Sequence, residues 1–159
     1  MSHFTNKVIW ITGATSGIGE ALVLALSERG AKLVLSARRV EELERVKSNC
    51  KGEALILPLD LSKMEEFKSL TQKVITHYGR IDYLINNGGI SQRSEAFETP
   101  LEIDRKIMEV NYFGNIALTK AVLPQMQKQK SGTIVPISSL SGKFGFFLRS
   151  AYSASKFAL

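Results

Sequence analysis

Short runs of β-branched and aliphatic residues alternate along the chain with longer segments in which apolar residues recur at helical spacing. This alternation is typical of parallel strands joined by crossover helices. The predicted strands are Val8–Thr12, Lys32–Ser36, Ala54–Pro58, Tyr83–Asn86 and Thr133–Ile137. The predicted helices are Gly17–Arg29, Val40–Ser48, Lys63–Tyr78 and Leu101–Lys128. Their order predicts an α/β fold, a Rossmann-type doubly wound parallel sheet flanked by helices.

The predicted sheet also indicates where a ligand would bind. In a doubly wound sheet the ligand crevice lies beyond the carboxyl ends of the strands, and the motifs described below follow such ends. With 159 residues, of which 44% are apolar, the chain can bury one sizeable core. We therefore expect a single domain over residues 1–159.

A glycine-rich turn follows the first predicted strand and opens the first helix. It reads Thr12-Gly13-Ala14-Thr15-Ser16-Gly17-Ile18-Gly19. Such glycines let the backbone turn tightly and approach a pyrophosphate at the helix N-terminus, although tight packing of strand on helix would also explain them. A triphosphate-binding P-loop is excluded, because it needs a Gly-Lys pair where this chain has Gly19-Glu20.

The pattern Thr-Gly-x-x-x-Gly-Ile-Gly resembles the fingerprint of the classical short-chain dehydrogenase/reductase family. Asp60 resembles the family's adenine-contacting Asp, and Asn86-Asn87-Gly88-Gly89 resembles its Asn-Asn-Ala-Gly. With Ile90-Ser91-Gln92-Arg93 following, the resemblance is to the branch related to animal dehydrogenase/reductase member seven. The resemblance implies a nicotinamide cofactor bound by Gly13, Thr15, Ser16, Gly17, Ile18, Gly19, Arg38, Arg39, Asp60, Leu61, Asn86, Asn87, Gly88, Tyr152 and Lys156.

The end of the second strand bears on which nicotinamide cofactor is used. It reads Ser36-Ala37-Arg38-Arg39, so Ala37 stands where an NAD enzyme usually places an acid for the ribose 2′-hydroxyl. Without a carboxylate to repel phosphate, and with a guanidinium beside it, NADP(H) is favoured over NAD(H). The alternative is a solvated arginine pair leading into a helix that contains Glu41, Glu42 and Glu44.

Tyr152 and Lys156 are spaced one helical turn apart, a spacing that a lysine-rich chain also produces by chance. Ser139, at the family's separation from Tyr152, and Asn111, a poor helix former within a predicted helix, complete the family's catalytic set. Asn111 could instead cap or kink that helix, and Ser138 is the neighbouring alternative to Ser139.

The chemistry of carbonyl reduction explains these residue types. Hydride addition puts negative charge on the carbonyl oxygen, which then needs a proton donor and hydrogen bonds. The resemblance implies that Tyr152 is the acid and that Ser139 holds the substrate oxygen. It implies that Lys156 provides a cation, which favours a phenolate, and binds the nicotinamide ribose. Asn111 would hold a water that links Lys156 to solvent as a proton relay.

The sequence therefore predicts an NADP-dependent oxidoreductase that transfers a hydride between the nicotinamide and a small-molecule carbonyl or secondary alcohol. A catalytically silent, nucleotide-binding regulatory protein is the alternative, and the full set of catalytic residue types favours the enzyme. Phe144, Phe146 and Phe147 indicate either an apolar wall near the reacting carbon or a plain core contact.

Composition excludes several other classes. The net charge of +6 is spread among acidic residues without a basic tract, which argues against nucleic acid. The lone Cys50 fits a reducing compartment, and the chain shows neither a signal peptide nor a membrane-spanning apolar run. We expect a cytoplasmic protein with no metal site and no membrane contact.

Classical members of the family are longer than this chain. We therefore expect that its C-terminal part is absent. The resemblance also implies that the full-length protein is a homodimer or homotetramer. Thr133–Ile137 would then be an exposed edge strand, so the piece alone should be poorly soluble and inactive. Pro136 is unusual for a central strand, because proline cannot donate to the ladder.

Overall fold

The computed structural model describes residues 2–159 and contains a five-stranded parallel sheet in the order β3-β2-β1-β4-β5. The strands are β1 Val8–Thr12, β2 Lys32–Ser36, β3 Ala54–Ile56, β4 Tyr83–Asn86 and β5 Thr133–Pro136. The α-helices are α1 Gly17–Ser27, α2 Val40–Ser48, α3 Phe67–Tyr78, α4 Leu101–Met108, α5 Asn115–Lys128 and α6 Ser150–Ala158. The prediction of a doubly wound Rossmann-type sheet is confirmed.

The strand order places a crevice between β1 and β4. The chain builds outward from β1 to β3 and then returns to add β4 on the other side of β1. Connections leaving β1 and β4 therefore diverge, and ligands of such sheets bind where they part.

Helices cover both faces of the sheet, which explains why β1 is buried along its whole length. Trp10 packs on one face with Phe67 of α3 and Leu118 of α5. Ile9 and Ile11 point to the other face. Because side chains alternate along a strand, one β1 sequence supplies both cores.

Most element ends agree with the sequence prediction, and the differences have local causes. β3 ends at Ile56 rather than Pro58, although the N–H groups of Leu57 and Leu59 still donate to the carbonyls of Leu35 and Ala37 at 3.0 Å. α1 ends at Ser27 rather than Arg29, because the chain tightens into a turn that closes at Gly30 in the left-handed region, φ +77°. α3 begins at Phe67 after a 3₁₀ turn, Met64–Glu66.

The prediction of one continuous helix over Leu101–Lys128 is wrong in its middle. A π-helical segment, Glu109–Gly114, separates α4 from α5 and contains Asn111. A π segment carries extra residues per turn and so bulges out of the α-helical path. The bulge packs tightly at Gly114, since a Cβ at that position would collide with the main-chain oxygen of Leu61. No helix in residues 2–159 has both the length and the apolar character needed to cross a membrane.

β5 lies at the edge of the sheet, which accounts for Pro136. The N–H groups of Thr133 and Ile137 both point towards β4, where they donate to the carbonyls of Asp82 and Asn86 at 2.9 Å. Along a strand, successive N–H groups point to alternate sides, so the nitrogen of Pro136 faces away from β4. The proline therefore costs no ladder hydrogen bond, and β5 ends at it rather than at Ile137.

Candidate active site

A cavity of about 490 Å³ opens at the carboxyl ends of β1, β2 and β4. Most of the predicted cofactor-contacting residues line it: Gly13, Thr15, Ser16, Ile18, Arg38, Arg39, Asp60, Leu61, Asn87 and Gly88. The other predicted contacts lie outside this lining: Gly17, Gly19, Asn86, Tyr152 and Lys156. The two glycines shape the turn. Asn86 turns away from the cavity and donates to the Thr119 hydroxyl at 2.9 Å.

The glycines of the turn agree with both explanations given from the sequence, close approach of a ligand and tight packing of strand on helix. Gly13 has φ +65° and Gly17 φ +55°, in the left-handed region that favours glycine. A Cβ on Gly19 would collide with the main-chain oxygen of Gly13. Tight packing and access for a ligand are therefore both built into the turn.

The start of α1 presents free donors to the cavity. Within residues 2–159 the N–H groups of Ser16, Gly17 and Ile18 donate to no protein acceptor, and the Ser16 side chain makes no capping bond. Unpaired N–H groups and the positive end of the helix dipole together favour an anion. The turn therefore fits a phosphate group.

The turn is fastened to β4 by Thr12 and Asn87. The Asn87 amide donates to the carbonyls of Thr12 and Gly13 at 3.0 and 3.2 Å. The Thr12 hydroxyl accepts the N–H groups of Asn87 and Gly88 at 3.0 and 2.9 Å. Asn87 thus holds the turn in place as well as lining the cavity, and Thr12, absent from the predicted contacts, is its partner.

Arg45 of α2 fastens the turn from the other side, and sequence reasoning missed it. Its guanidinium donates to the Thr15 carbonyl at 3.0 Å and to Glu20 of α1 at 2.8 Å. It also pairs with Glu42 on its own helix at 2.8 Å. The Glu42–Arg45 spacing was the available signal, but it indicates a helical pair and not a contact with the turn.

Arg38 and Arg39 line the cavity with exposed side chains. Across residues 2–159 neither has a carboxylate within salt-bridge distance, and Glu42 is engaged by Arg45 instead. Asp60 accepts hydrogen bonds from the Ser62 N–H and hydroxyl at 3.0 and 2.8 Å. These bonds, led by the N–H and aided by the charge of Arg38, hold the pKa of Asp60 below its usual value.

Lys156 is buried beside Tyr152. Its ammonium donates to the Ile137 carbonyl at 2.9 Å and lies 5.8 Å from the centroid of the Tyr152 ring. Burial lowers the pKa of Lys156, because desolvation disfavours the charged amine. A Cβ built on Gly89 would lie 3.0 Å from Asn111 Oδ1 and 3.9 Å from Lys156 Nζ, so these groups form one cluster.

Asn111 joins the loop after β4 to α6. Its Oδ1 accepts the Ile90 N–H at 2.8 Å, and its amide donates to the Ile90 carbonyl at 2.9 Å and to the Ser155 hydroxyl at 3.0 Å. Both amide hydrogens are thus used within the protein. The π bulge and the buried side chain make Asn111 a clamp on the helix that carries Tyr152.

The two candidate serines differ in what their hydroxyls do. Ser138 donates to the Lys156 carbonyl at 3.2 Å. Ser139 accepts the Ser141 N–H at 3.1 Å and caps a 3₁₀ turn, Leu140–Gly142, so its own proton stays available. A Cβ on Gly142 would lie 2.6 Å from the Lys156 carbonyl oxygen, so this turn packs directly on α6. Ser139 is therefore the serine free to donate.

The phenylalanines between Ser139 and Tyr152 are not core contacts within the described chain. Phe144 is 67%, Phe146 47% and Phe147 84% exposed. Of the two interpretations from the sequence, the plain core contact therefore does not hold for residues 2–159.

Comparison with known proteins agrees with this geometry. A sequence profile for short chain dehydrogenase matches residues 7–159. The human dehydrogenase/reductase SDR family member 7 is 49% identical over 164 residues, which cover 99% of this chain and 48% of the human protein. The SDR family protein 7-like of Anopheles gambiae is 50% identical, covering 99% of this chain and 52% of that protein. The chain thus spans about half the length of these curated relatives.

Solved structures share the fold. A short-chain dehydrogenase from Streptomyces avermitilis aligns with a TM-score of 0.92 and 38% identity, over 100% of this chain and 58% of that one. A metagenomic short-chain oxidoreductase in complex with NADP aligns with a TM-score of 0.94 and 34% identity, over 99% of this chain and 73% of that one.

Proposed function

The chain belongs to the short-chain dehydrogenase/reductase family, and from that premise we propose that the protein is an NADP(H)-dependent oxidoreductase. Its substrate is a small-molecule carbonyl or secondary alcohol. The observation that carries the proposal is the buried Lys156 beside Tyr152, next to a crevice built for an anion. The turn that Ser139 caps packs on the same helix, and the Ser139 hydroxyl is free to donate.

The residues of the crevice fit a dinucleotide. The free N–H groups from Ser16 to Ile18 would hold the pyrophosphate, and Asp60 with Leu61 would contact the adenine. Lys156 would hold the nicotinamide ribose. When bound, the nicotinamide supplies or accepts the hydride.

The chain's own residues would manage the proton and the charge on oxygen. The Tyr152 hydroxyl donates its proton to the substrate oxygen, and Ser139 donates a hydrogen bond to the same oxygen. The ammonium of Lys156, 5.8 Å from the ring centroid, stabilises the negative charge left on the phenol. Asn111 keeps α6 in place through Ser155. Its role in holding a water that links Lys156 to solvent stays part of the proposal.

The preference for NADP(H) rests on Ala37 and Arg38. Arg38 lines the crevice with no carboxylate partner in residues 2–159, so its guanidinium can pair with a 2′-phosphate. A solved relative bound to NADP is consistent with this preference. Arg38→Asp should lower the NADPH/NADH affinity ratio by about ten-fold or more, since it replaces attraction by repulsion. An unchanged ratio in fluorescence titrations would show that Arg38 does not read the phosphate.

Tyr152→Phe tests the proposed activity. In the intact protein it should keep cofactor affinity, because the crevice contacts remain, and should lower turnover by about 10²- to 10⁴-fold. Steady-state kinetics on a panel of carbonyl compounds, paired with a cofactor titration, measure both. Lys156→Ala should differ by weakening cofactor binding as well as turnover.

The competing function is a catalytically silent regulatory protein that binds the cofactor. Near-normal turnover in Tyr152→Phe would overturn the proposed mechanism. Cofactor binding with no reduction of any carbonyl by the unaltered protein would favour the regulatory function.

The assembly and location belong to the same proposal. The intact protein forms a homodimer or homotetramer, acts in the cytoplasm and needs neither nucleic acid nor a membrane. The lone Cys50 suits a reducing compartment. The exposed Phe144, Phe146 and Phe147 would give the substrate site an apolar rim.

A further inference from the structure

The proposed cofactor and proton-transfer roles leave Ser91 and Gln92 without a function. Both follow the Asn-Asn-Gly-Gly motif, and Gln92 is buried with only 9% of its surface exposed. A buried glutamine needs partners for its amide, since an unpaired polar group in the interior is costly.

Gln92 finds its partners at the start of α6. Its Oε1 accepts the Tyr152 N–H at 3.2 Å, and its Nε2 donates to the Ser150 hydroxyl at 3.3 Å. Its main-chain oxygen accepts from the Arg149 guanidinium at 2.7 Å, and the same guanidinium also donates to the Ser91 hydroxyl. One short loop after β4 is therefore bonded to three positions around the first turn of α6, Arg149, Ser150 and Tyr152.

α6 depends on an outside acceptor at this end. The first N–H groups of a helix have no intrahelical partner and are normally satisfied by the side chain of the N-cap residue. The N-cap of α6 is Arg149, whose side chain cannot accept a hydrogen bond and makes no capping bond here. Gln92 supplies the missing acceptor to Tyr152 itself.

We propose that Gln92 is a positioning residue that caps α6 from the loop after β4 and thereby fixes the place of the Tyr152 phenol. The inference rests on the proposed function. Lys156 lies one turn further along and is held separately, by the Ile137 carbonyl and by burial. Loss of the cap therefore loosens the turn that carries the acid and leaves the cofactor-binding groups in place.

The test compares Gln92→Met with Gln92→Glu in the intact protein. Methionine keeps the length of the side chain but offers no acceptor, so kcat should fall about ten- to hundred-fold, the cost of a small misplacement at a reacting centre. The primary isotope effect on kcat with deuterated NADPH should rise or stay high, and the Kd of NADPH should change by less than about two-fold. Glutamate keeps the acceptor beside a helix N-terminus and should retain most of the turnover.

Gln129→Met is the matched control. Gln129 also tethers main chain across a long sequence distance, donating to the Ile81 carbonyl at 2.6 Å and accepting its N–H at 3.3 Å. Ile81 precedes β4, so this tether lies at the sheet end opposite the crevice. It should lower thermal stability without a selective loss of kcat.

Wild-type kcat in Gln92→Met would overturn the inference, as would a Gln92→Glu variant that is equally slow. If Gln92→Met fails to fold, Ser150→Ala removes the partner of the Gln92 amide and should lower kcat in the same direction at constant Kd, whereas unchanged kcat would count against the cap. The proposed function fails separately, through normal turnover in Tyr152→Phe. If turnover collapses in Tyr152→Phe but is normal in Gln92→Met, the proposed function stands and the capping role of Gln92 is wrong.

Discussion

At the scale of single residues, the Lys156 side chain proposed for catalysis lowers the stability of the folded protein. Its ammonium is buried, and burial lowers its pKa from the ordinary lysine value of 10.5. Between the lowered value and 10.5 the unfolded chain binds more protons than the folded one, so this group makes folding more favourable as pH rises through that window. At neutral pH the buried charge is therefore a cost to the folded protein.

Lys156→Met should expose that cost. Without cofactor, the variant should be at least as stable as the unaltered protein at pH 7, because methionine keeps most of the buried side-chain volume and carries no charge. The difference should shrink as pH is raised towards 10, because the unaltered protein sheds its buried charge. Urea unfolding at a series of pH values measures the free energies.

The exposed Lys68 of α3 provides the comparison for this prediction. Lys68→Met should change the free energy of unfolding by less than about 0.5 kcal/mol. A Lys156→Met variant that is strongly destabilised at pH 7, with no trend against pH, would show that packing and the Ile137 hydrogen bond outweigh the buried charge.

At the scale of elements, Arg45 joins two helices to the glycine-rich turn after β1. Because the Thr15–Ser16 peptide is trans and planar, its N–H points opposite to its carbonyl. Holding the Thr15 carbonyl with Arg45 therefore also orients the free N–H of Ser16. Arg45→Met should weaken NADPH and NADH binding alike, by about three- to ten-fold, because the turn loses its orientation but Arg38 stays. Cofactor fluorescence titrations give both affinities.

A second ion pair between the same two helical regions is the control. Lys51 and Glu28 lie just beyond the far ends of α2 and α1, with exposed side chains whose charged groups are 3.2 Å apart. Lys51→Met should leave both cofactor affinities unchanged, since exposed pairs contribute little. A selective loss of NADPH binding in Arg45→Met would instead place the effect at the 2′-phosphate and contradict the turn-orienting role.

The elements show what the hydrophobic pattern could and could not predict. β1, β2, α2 and β4 have their predicted bounds, because each is a short apolar or amphipathic run with a clear stop. The π segment inside Leu101–Lys128 could not be predicted from the hydrophobic pattern. It depends on the packing of Gly114 against Leu61 and on the hydrogen bonds of Asn111 to Ile90 and Ser155. Contacts of that kind join distant parts of the chain and leave no periodic signal.

The residues of the candidate site likewise include some that the sequence could place and some that it could not. Residues in contiguous motifs, such as Gly13 and Arg38, could be placed at the crevice because a motif and its strand end occur together. Arg45 and Gln92 could not, because each acts on main chain more than twenty-five residues away. Their partners follow from tertiary packing alone.

At the scale of the whole molecule, the polypeptide of residues 1–159, expressed by itself, should self-associate. Large apolar side chains are exposed on its helices and loops: Phe97, Leu101, Phe113, Phe144, Phe146, Phe147 and Phe157 among them. Exposed patches of this kind, next to an open sheet edge, favour association between copies. Light scattering coupled to size-exclusion chromatography should show a mass that rises with protein concentration, whereas a monodisperse monomer would contradict the prediction.

Pro136 determines how much of that association uses the sheet edge. In β5 the N–H of Ile134 faces outward, while position 136 offers none because it is proline. The edge therefore presents a broken row of donors, a known protection against strand pairing between molecules. Pro136→Thr would restore the second outward donor in a residue that favours strands, and self-association should then begin at a lower concentration. Phe113→Glu, on the helical face, should act in the opposite direction by adding charge to an exposed apolar surface. If Pro136→Thr changes nothing while Phe113→Glu yields monomers, the copies associate through their helices, and the proline serves only to end the strand.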